Sequence, residues 1–318
     1  MQEMTHRLTE ELRRLAFENH DNCVSCGYEF KEGDTSHLGY DSNGNPQYVC
    51  DSCSNKLKET AVRHYFSPHP YEIPDKESYL WRYMDFTKYV SMLSTSCLYF
   101  SRADTFEDHF EGAKGVKSNK EKWDSHYLSF FKEAMKNPPE GVDWDKSDEF
   151  IEKEAQRLLN ELDSGGEASR KRVFISCWHE NTQESEAMWR LYSSYIDNAI
   201  AIRTTYNSLY ESLGKNPSIF IGRVKYIDFN KSFAGVNDSF WRKRKSFEHE
   251  KEVRALVHDH QCIEKGKTIH CDLETLIEEV YLSPKAPEWF VALLNDVNKK
   301  YGLNVKVNQS RLNDEPFY

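Results

Sequence analysis

Trp241-Arg-Lys-Arg-Lys-Ser-Phe-Glu-His-Glu-Lys-Glu-Val-Arg-Ala-Leu-Val257 opens basic, turns acidic and ends as a strand. From Glu252 the residues alternate. Val253, Ala255 and Val257 fall on one side, and Glu252 and Arg254 on the other. A strand has a side-chain period of two, so the apolar set faces a core while the carboxylate and guanidinium line the opposite face. Glu248 and Glu250 extend the acidic side if the strand begins earlier. The lysines and arginines just upstream can hold an anion beside these carboxylates, as chemistry on a sugar phosphate requires. The plainer alternative is a solvated edge strand with an ordinary Glu–Arg pair.

Outward from this stretch, short strands and helices mix unevenly. Strands are predicted at Leu80–Met84, Cys97–Ser101, Arg172–Trp178, Ala199–Arg203, Ile219–Ile227, Glu279–Ser283 and Asn304–Asn308. Helices are predicted over Phe86–Leu93, Glu184–Tyr195 and Pro287–Tyr301. Residues 120–163 read as charged helices broken at Asn137-Pro-Pro-Glu-Gly141 and ended by Ser164-Gly-Gly166, within a helical insertion at about 115–168. Seven or eight strands without regular alternation give an α+β fold, a mixed or antiparallel sheet with helices. Neither standard phosphate-binding glycine loop is present, which counts against a P-loop or dinucleotide-binding Rossmann enzyme.

The chain has 318 residues, enough for one large and one small domain. Its 18 Phe, 18 Tyr and 7 Trp can build a core despite 30% charged residues. A net charge of −10 argues against a non-specific grip on nucleic acid. No run of about 18 apolar residues occurs, so no membrane span is expected, and the start lacks a signal-peptide core. Cytoplasmic residence is the default. The eight cysteines are then ligands or free thiols. Cys97 and Cys177, inside apolar strands, read as buried thiols.

Residues 1–70 read as a separate unit. A helix over 3–18 carries Leu8, Leu12 and Leu15 on one face. Cys23-Val-Ser-Cys26 and Cys50-Asp-Ser-Cys53 flank a hairpin turning at Asn43-Gly-Asn45, and a helix follows over Ser54–Phe66. Two thiolate pairs so spaced close a tetrahedron around Zn²⁺ and leave no open position, as in a treble-clef-like structural module. Ser67-Pro-His-Pro-Tyr-Glu-Ile-Pro74 should be extended and marks the boundary to residues 71–318.

Leu80-Trp-Arg-Tyr83, Leu98-Tyr-Phe-Ser101, Phe106-Glu-Asp-His-Phe-Glu111, Ile175-Ser-Cys-Trp178, Met188-Trp-Arg-Leu-Tyr192 and Glu250-Lys-Glu-Val-Arg254 occur in order. Together they resemble the bacterial family known as domain of unknown function 2971, from about residue 80 to the C-terminus. The family's aspartate-proline is replaced here by Asp108-His109. The resemblance implies a stress or antiphage role. At a second level, the order of an arginine strand, a helix, a serine strand and a Glu-X-Glu strand resembles ADP-ribosyltransferases. That resemblance implies NAD as substrate, Glu252 as catalytic carboxylate and Glu250 as its partner acid. It also implies an NAD-binding set of Arg82, Tyr83, Ser101, Ser176, Trp189, Tyr192 and Arg254. Arg82 would take the pyrophosphate, and Trp189 or Tyr192 would stack on nicotinamide.

Three functions compete. The first is an NAD-using defence or stress effector that transfers ADP-ribose or cleaves NAD. The second is a metal-dependent nuclease with Asp104, Asp108 and Glu111 on one helical face, joined by Glu250 and Glu252 around Mg²⁺. The third is a non-enzymatic zinc-bearing sensor or adaptor. A protein or nucleic-acid acceptor or trigger is the partner expected. His258, His260, Cys262, His270 and Cys271 form a weaker metal candidate, against the alternative of exposed hairpin residues.

Overall fold

The computed structural model describes residues 2–5, 22–31, 34–40, 46–57, 71–137, 145–192, 197–216 and 218–318. Strands β1 (Gln2–Thr5), β2 (Thr35–Tyr40) and β3 (Pro46–Cys50) form an antiparallel sheet in that order. β1 replaces the start of the helix expected over 3–18. The leucine spacing that predicted a helix begins only at Leu8, so no apolar face holds Glu3–Thr5 helical, and they pair with Thr35–His37 instead. Residues 6–21 lie outside the described set. β2 and β3 pair as the expected hairpin, with Ser36 opposite Cys50; the turn itself, residues 41–45, is outside the described residues. The helix after the second cysteine pair begins at Asp51, earlier than Ser54, and is described to Leu57. An acid in its first turn suits the helix dipole. Cys23, Phe30, Tyr48, Val49 and Cys53 form a small core of their own.

The rest of the chain builds a nine-stranded sheet. Its members are β4 (Tyr79–Asp85), β5 (Cys97–Arg102), β6 (Val173–Glu180), β7 (Ala199–Thr205) and β8 (Ile219–Arg223), followed later by four more. Between them, β9 (Lys225–Ile227) and β10 (Arg242–Arg244) form a separate parallel pair. The sheet then takes in β11 (Glu252–His258), β12 (Gly266–His270), β13 (Glu279–Leu282) and β14 (Lys306–Asn308). The order is β12-β5-β6-β4-β7-β13-β14, with β11 and then β8 added beside β6. All neighbours are antiparallel except β13 and β14, so the α+β expectation holds.

Four local expectations change. The predicted strand 219–227 breaks at Val224, whose N–H goes to the Glu252 carbonyl and sends the next residues to β10. Glu248 and Glu250 do not extend β11. Lys245–Glu250 is a 3-10 turn closed by Lys251 in the left-handed region, at φ 39°. β11 is not a solvated edge, because it pairs along its length with β6 and β8. Its Val253, Ala255 and Val257 enter the main core, while Leu256 packs with Phe240 and Trp241 on the other face. Ser164-Gly-Gly166 does not end its helix, which runs from Asp148 to Arg170. Its partner in the insertion spans Lys120–Lys136. The end of the proline segment belongs to the sheet unit. Tyr71 is buried with its ring 4.0 Å from that of Trp241, and Gly222 leaves it room.

One feature of the topology positions the site. β6 gives one whole edge to β11, but its other edge is shared. β5 pairs there only at Phe174–Ile175, and β4 only at His179–Glu180. Among the described residues, Ser176, Cys177 and Trp178 have no ladder partner on that edge, so β4 and β5 diverge around them. The helix Phe86–Thr95, capped by Asp85, joins the two diverging strands.

Candidate active site

The gap beside Ser176–Trp178 opens into a cavity of about 640 Å³. Trp81, Arg82 and Tyr83 of β4, Tyr99 and Ser101 of β5, and Cys177, Trp178 and His179 of β6 line it. Met92 comes from the joining helix, Met188 and Tyr192 from the helix Glu186–Tyr192, and Glu250 and Glu252 complete the wall. Strand parity places Arg82 on the side of Leu80 and Met84, in the main core layer. Trp81 and Tyr83 share the opposite side with His179 and Glu252, which are register partners. Arg82 and the carboxylates therefore meet in one cavity only because the sheet parts.

The carboxylates are part of a buried charge network. Arg254 is fully buried and binds Glu252 through Nε (2.8 Å) and Nη2 (2.9 Å). It also donates to Glu111 (2.6 and 3.4 Å) and to the Phe240 carbonyl. Lys243 reaches Glu252 at 3.2 Å and makes a short contact with Glu250. Glu250 accepts a second bond from the Tyr192 hydroxyl (2.9 Å). Burial opposes the charge on Glu252, but Arg254 and Lys243 outweigh it and hold the carboxyl at about 2. Burial, only partly offset by Arg254, pushes Glu111 up. Lys243 is raised despite its burial, by Glu252 and then Glu250.

Arg82 is differently placed. Its Nη1 donates to Ser176 Oγ (2.6 Å) and its Nη2 to the Tyr99 carbonyl (2.9 Å), with the guanidinium 5.6 Å from the Trp178 ring centre. Burial pulls its pKa below the ordinary value. His179 puts Nδ1 2.6 Å from the Glu250 carbonyl, and its Nε2 has no partner among the described residues. Burial lowers its pKa, so the neutral ring donates from Nδ1 and is left with an acceptor at Nε2.

Of the expected residues, Glu250, Glu252, Arg82, Tyr83, Ser101 and Tyr192 line the cavity. Ser176 lies behind Arg82 as its acceptor. Two expectations are corrected. Trp189 is fully buried, its Nε1 bonded to Glu184 at 2.9 Å and its ring edge-on to Tyr83 at 4.9 Å, so it offers no face to a ligand. Arg254 has all five N–H groups directed at Glu111, Glu252 and Phe240, so none remains for a ligand. The residues missed are Lys243, His179 and, as a partner of Arg254, Glu111. The basic run before Glu248 signalled Lys243, whereas nothing local signalled His179. Cys177 and Cys97 are half-buried and line the cavity rather than being enclosed. Burial, reinforced by Glu252, pushes the Cys177 thiol well up.

The proposed Mg²⁺ cluster does not form. Residues 103–105 make a 3-10 turn, not a helix, and each acid goes to a different arginine: Asp104 to Arg102, Asp108 to Arg244 and Glu111 to Arg254. His258, His260, Cys262, His270 and Cys271 also form no common site among the described residues. Cys23, Cys26, Cys50 and Cys53 do converge, with their sulfurs within 4.8 Å of one another. Cys26 and Cys50 are 3.7 Å apart, close to the edge of about 3.8 Å that four Zn–S bonds of about 2.3 Å imply. Burial opposes ionisation of Cys23, but backbone N–H groups of Cys50, Cys26 and Ser25 bring it down to about 7. The backbone N–H of Tyr28 favours a Cys26 thiolate, yet the neighbouring thiols push it up to about 12. A cation would relieve that crowding.

No family model matches the chain, so membership of the family known as domain of unknown function 2971 is not shown. No curated protein matches either. Solved structures of the DarT of Thermus sp. 2.9 are similar at 9% identity. They are the complexes with carba-NAD⁺ (TM-score 0.34, covering 75% of this chain and 97% of that one), with NAD⁺ (0.33, 75% and 98%) and with ADP-ribosylated ssDNA (0.33, 76% and 97%). Likeness this shallow carries no residue roles across, and the roles below come from this chain's own geometry.

Proposed function

We propose that the chain breaks the bond between nicotinamide and ribose in NAD and passes the ADP-ribosyl group to an acceptor or to water. One observation carries this reading. A carboxylate held ionised by Arg254 and Lys243 shares an aromatic-walled cavity of about 640 Å³ with a guanidinium that keeps N–H groups for a ligand. A volume of this size suits a small-molecule site.

The bonding pair of the C1′–N bond leaves with nicotinamide, and the ribose gains oxocarbenium character. Glu252, fixed before the reaction, stabilises that positive charge without reorganising. A carboxylate held at about 2 is a poor proton acceptor near neutrality. Glu250, the second carboxylate on the wall, takes the proton that the acceptor loses as its oxygen or nitrogen bonds to C1′. Arg82 binds the pyrophosphate through two parallel N–H groups. Tyr192, on the same helical face as Met188, covers the nicotinamide. The four-cysteine cluster holds a structural Zn²⁺ with no open ligand position.

The test is purified chain with adenylate-labelled NAD and cell extract. Label on a macromolecule, absent with Glu252→Gln, supports transfer. Label released as free ADP-ribose supports NAD cleavage. Unchanged NAD under all conditions contradicts both.

A further inference from the structure

We infer that the chain carries a second ligand site, for a phosphoryl group, in a cavity of about 280 Å³ between the segment 109–120 and the helical insertion. Two of the residues that line it each carry a buried donor. Trp123 is 4% exposed, and its indole N–H has no acceptor among the described residues. The Arg170 Nε–H is likewise buried and unmatched among them. Both groups can only donate. A buried donor left unmatched is costly, and two beside one cavity leave that cost for a bound acceptor to relieve.

The charges around the cavity favour an anionic acceptor. The Lys114 ammonium lies 4.5 Å from the Trp123 ring centre and gives one N–H to the Leu162 carbonyl at 2.8 Å. Two N–H groups remain, and Lys117 adds a further cation to the wall. Two of the three acids there are already neutralised. Glu111 is bound by Arg254, and Asp163 by Lys120 at 2.6 Å. The surplus is positive.

Gly166 fits the same reading. A glycine inside a helix is less favourable than alanine. Here a Cβ would come within 3.3 Å of Lys114 Nζ, so a side chain at this position would crowd the ammonium. Phosphoryl oxygens accept several N–H bonds at once, and Arg and Lys are their usual partners. The site stands apart from the NAD reading, since Arg82 and Glu252 do not line it.

The experiment is calorimetry and thermal unfolding of the full chain with inorganic phosphate, against chloride at matched ionic strength. Phosphate should bind and raise Tm. Arg170→Gln should weaken binding about tenfold, the loss expected for a charge-assisted donor, and Trp123→Phe about threefold for a neutral one. If Arg170→Gln fails to fold, Trp123→Phe, which keeps an aromatic ring but removes the N–H, decides. Ribose 5-phosphate binding more tightly than phosphate would assign the site to sugar phosphates, and equal affinity to phosphate itself. No binding in the wild type overturns the inference and leaves the cavity to water. Binding lost in Arg82→Gln but kept in Arg170→Gln also overturns it, by placing phosphate in the larger cavity.

Discussion

Arg254 and Arg82 both lie on strands of one sheet, yet their surroundings differ in kind. Arg254 is sealed among Glu111, Glu252 and the Phe240 carbonyl, with every N–H directed at the protein. Arg82 gives one N–H to Ser176 and one to Tyr99 beside an open cavity. The first guanidinium is structural: it sets the charge and position of Glu252. The second has donors left for a ligand. A buried ion pair and a binding arginine are thus separated by the bonds they have already made, since residue type is the same in both.

Arg254→Met should show the largest effect. It leaves Glu111 without its counter-ion and Glu252 with Lys243 alone, and breaking such a buried set costs about 3–5 kcal/mol. Chemical denaturation measures it, and a loss near zero would mean that the network does not hold β11 in place. Arg82→Gln should do the opposite. Its KM for NAD should rise about tenfold, as for loss of a charged donor, while stability changes by about 1 kcal/mol. A folded but strongly destabilised Arg82→Gln with normal KM would reverse the assignment of the two arginines.

A finer test uses acid. Glu252 has a folded pKa of about 2 against an ordinary 4.5. A depressed carboxyl gives stability that is complete above its unfolded value and is lost as pH falls through its folded one. The stability gap between wild type and Glu252→Gln should therefore be constant above pH 4.5 and close as pH falls to about 2. A gap that closes between pH 6 and 5 (about one unit above the ordinary carboxylate range) would show that Glu252 is not clamped.

Local patterns in the sequence held much of this. The alternation Glu252-Val-Arg-Ala-Leu-Val257 foretold both the strand and its two faces, because parity depends only on neighbours. Cysteine spacing likewise foretold the thiolate cluster, since each pair closes over two residues. The gap between β4 and β5 was not legible. It depends on how β4 and β5, which lie about 70 to 100 residues before their partners, divide one edge of β6. Trp189 shows the same limit on a helix. Met188 and Tyr192, four residues apart, share the cavity face, and a shift of one residue turns Trp189 into the core. Lys243 was legible only as one of a basic run; its selection depends on the 3-10 turn that brings Glu250 beside Glu252.

The most direct test of the account is release of nicotinamide from NAD by the purified chain, with and without cell extract, beside Glu252→Gln. Loss of one preorganised charge at the reacting centre costs about 10²- to 10³-fold in kcat. The account predicts release by the wild type and a fall of that size in a variant whose thermal unfolding remains cooperative. Equal release by a folded Glu252→Gln, or none from the wild type in any extract, would contradict it.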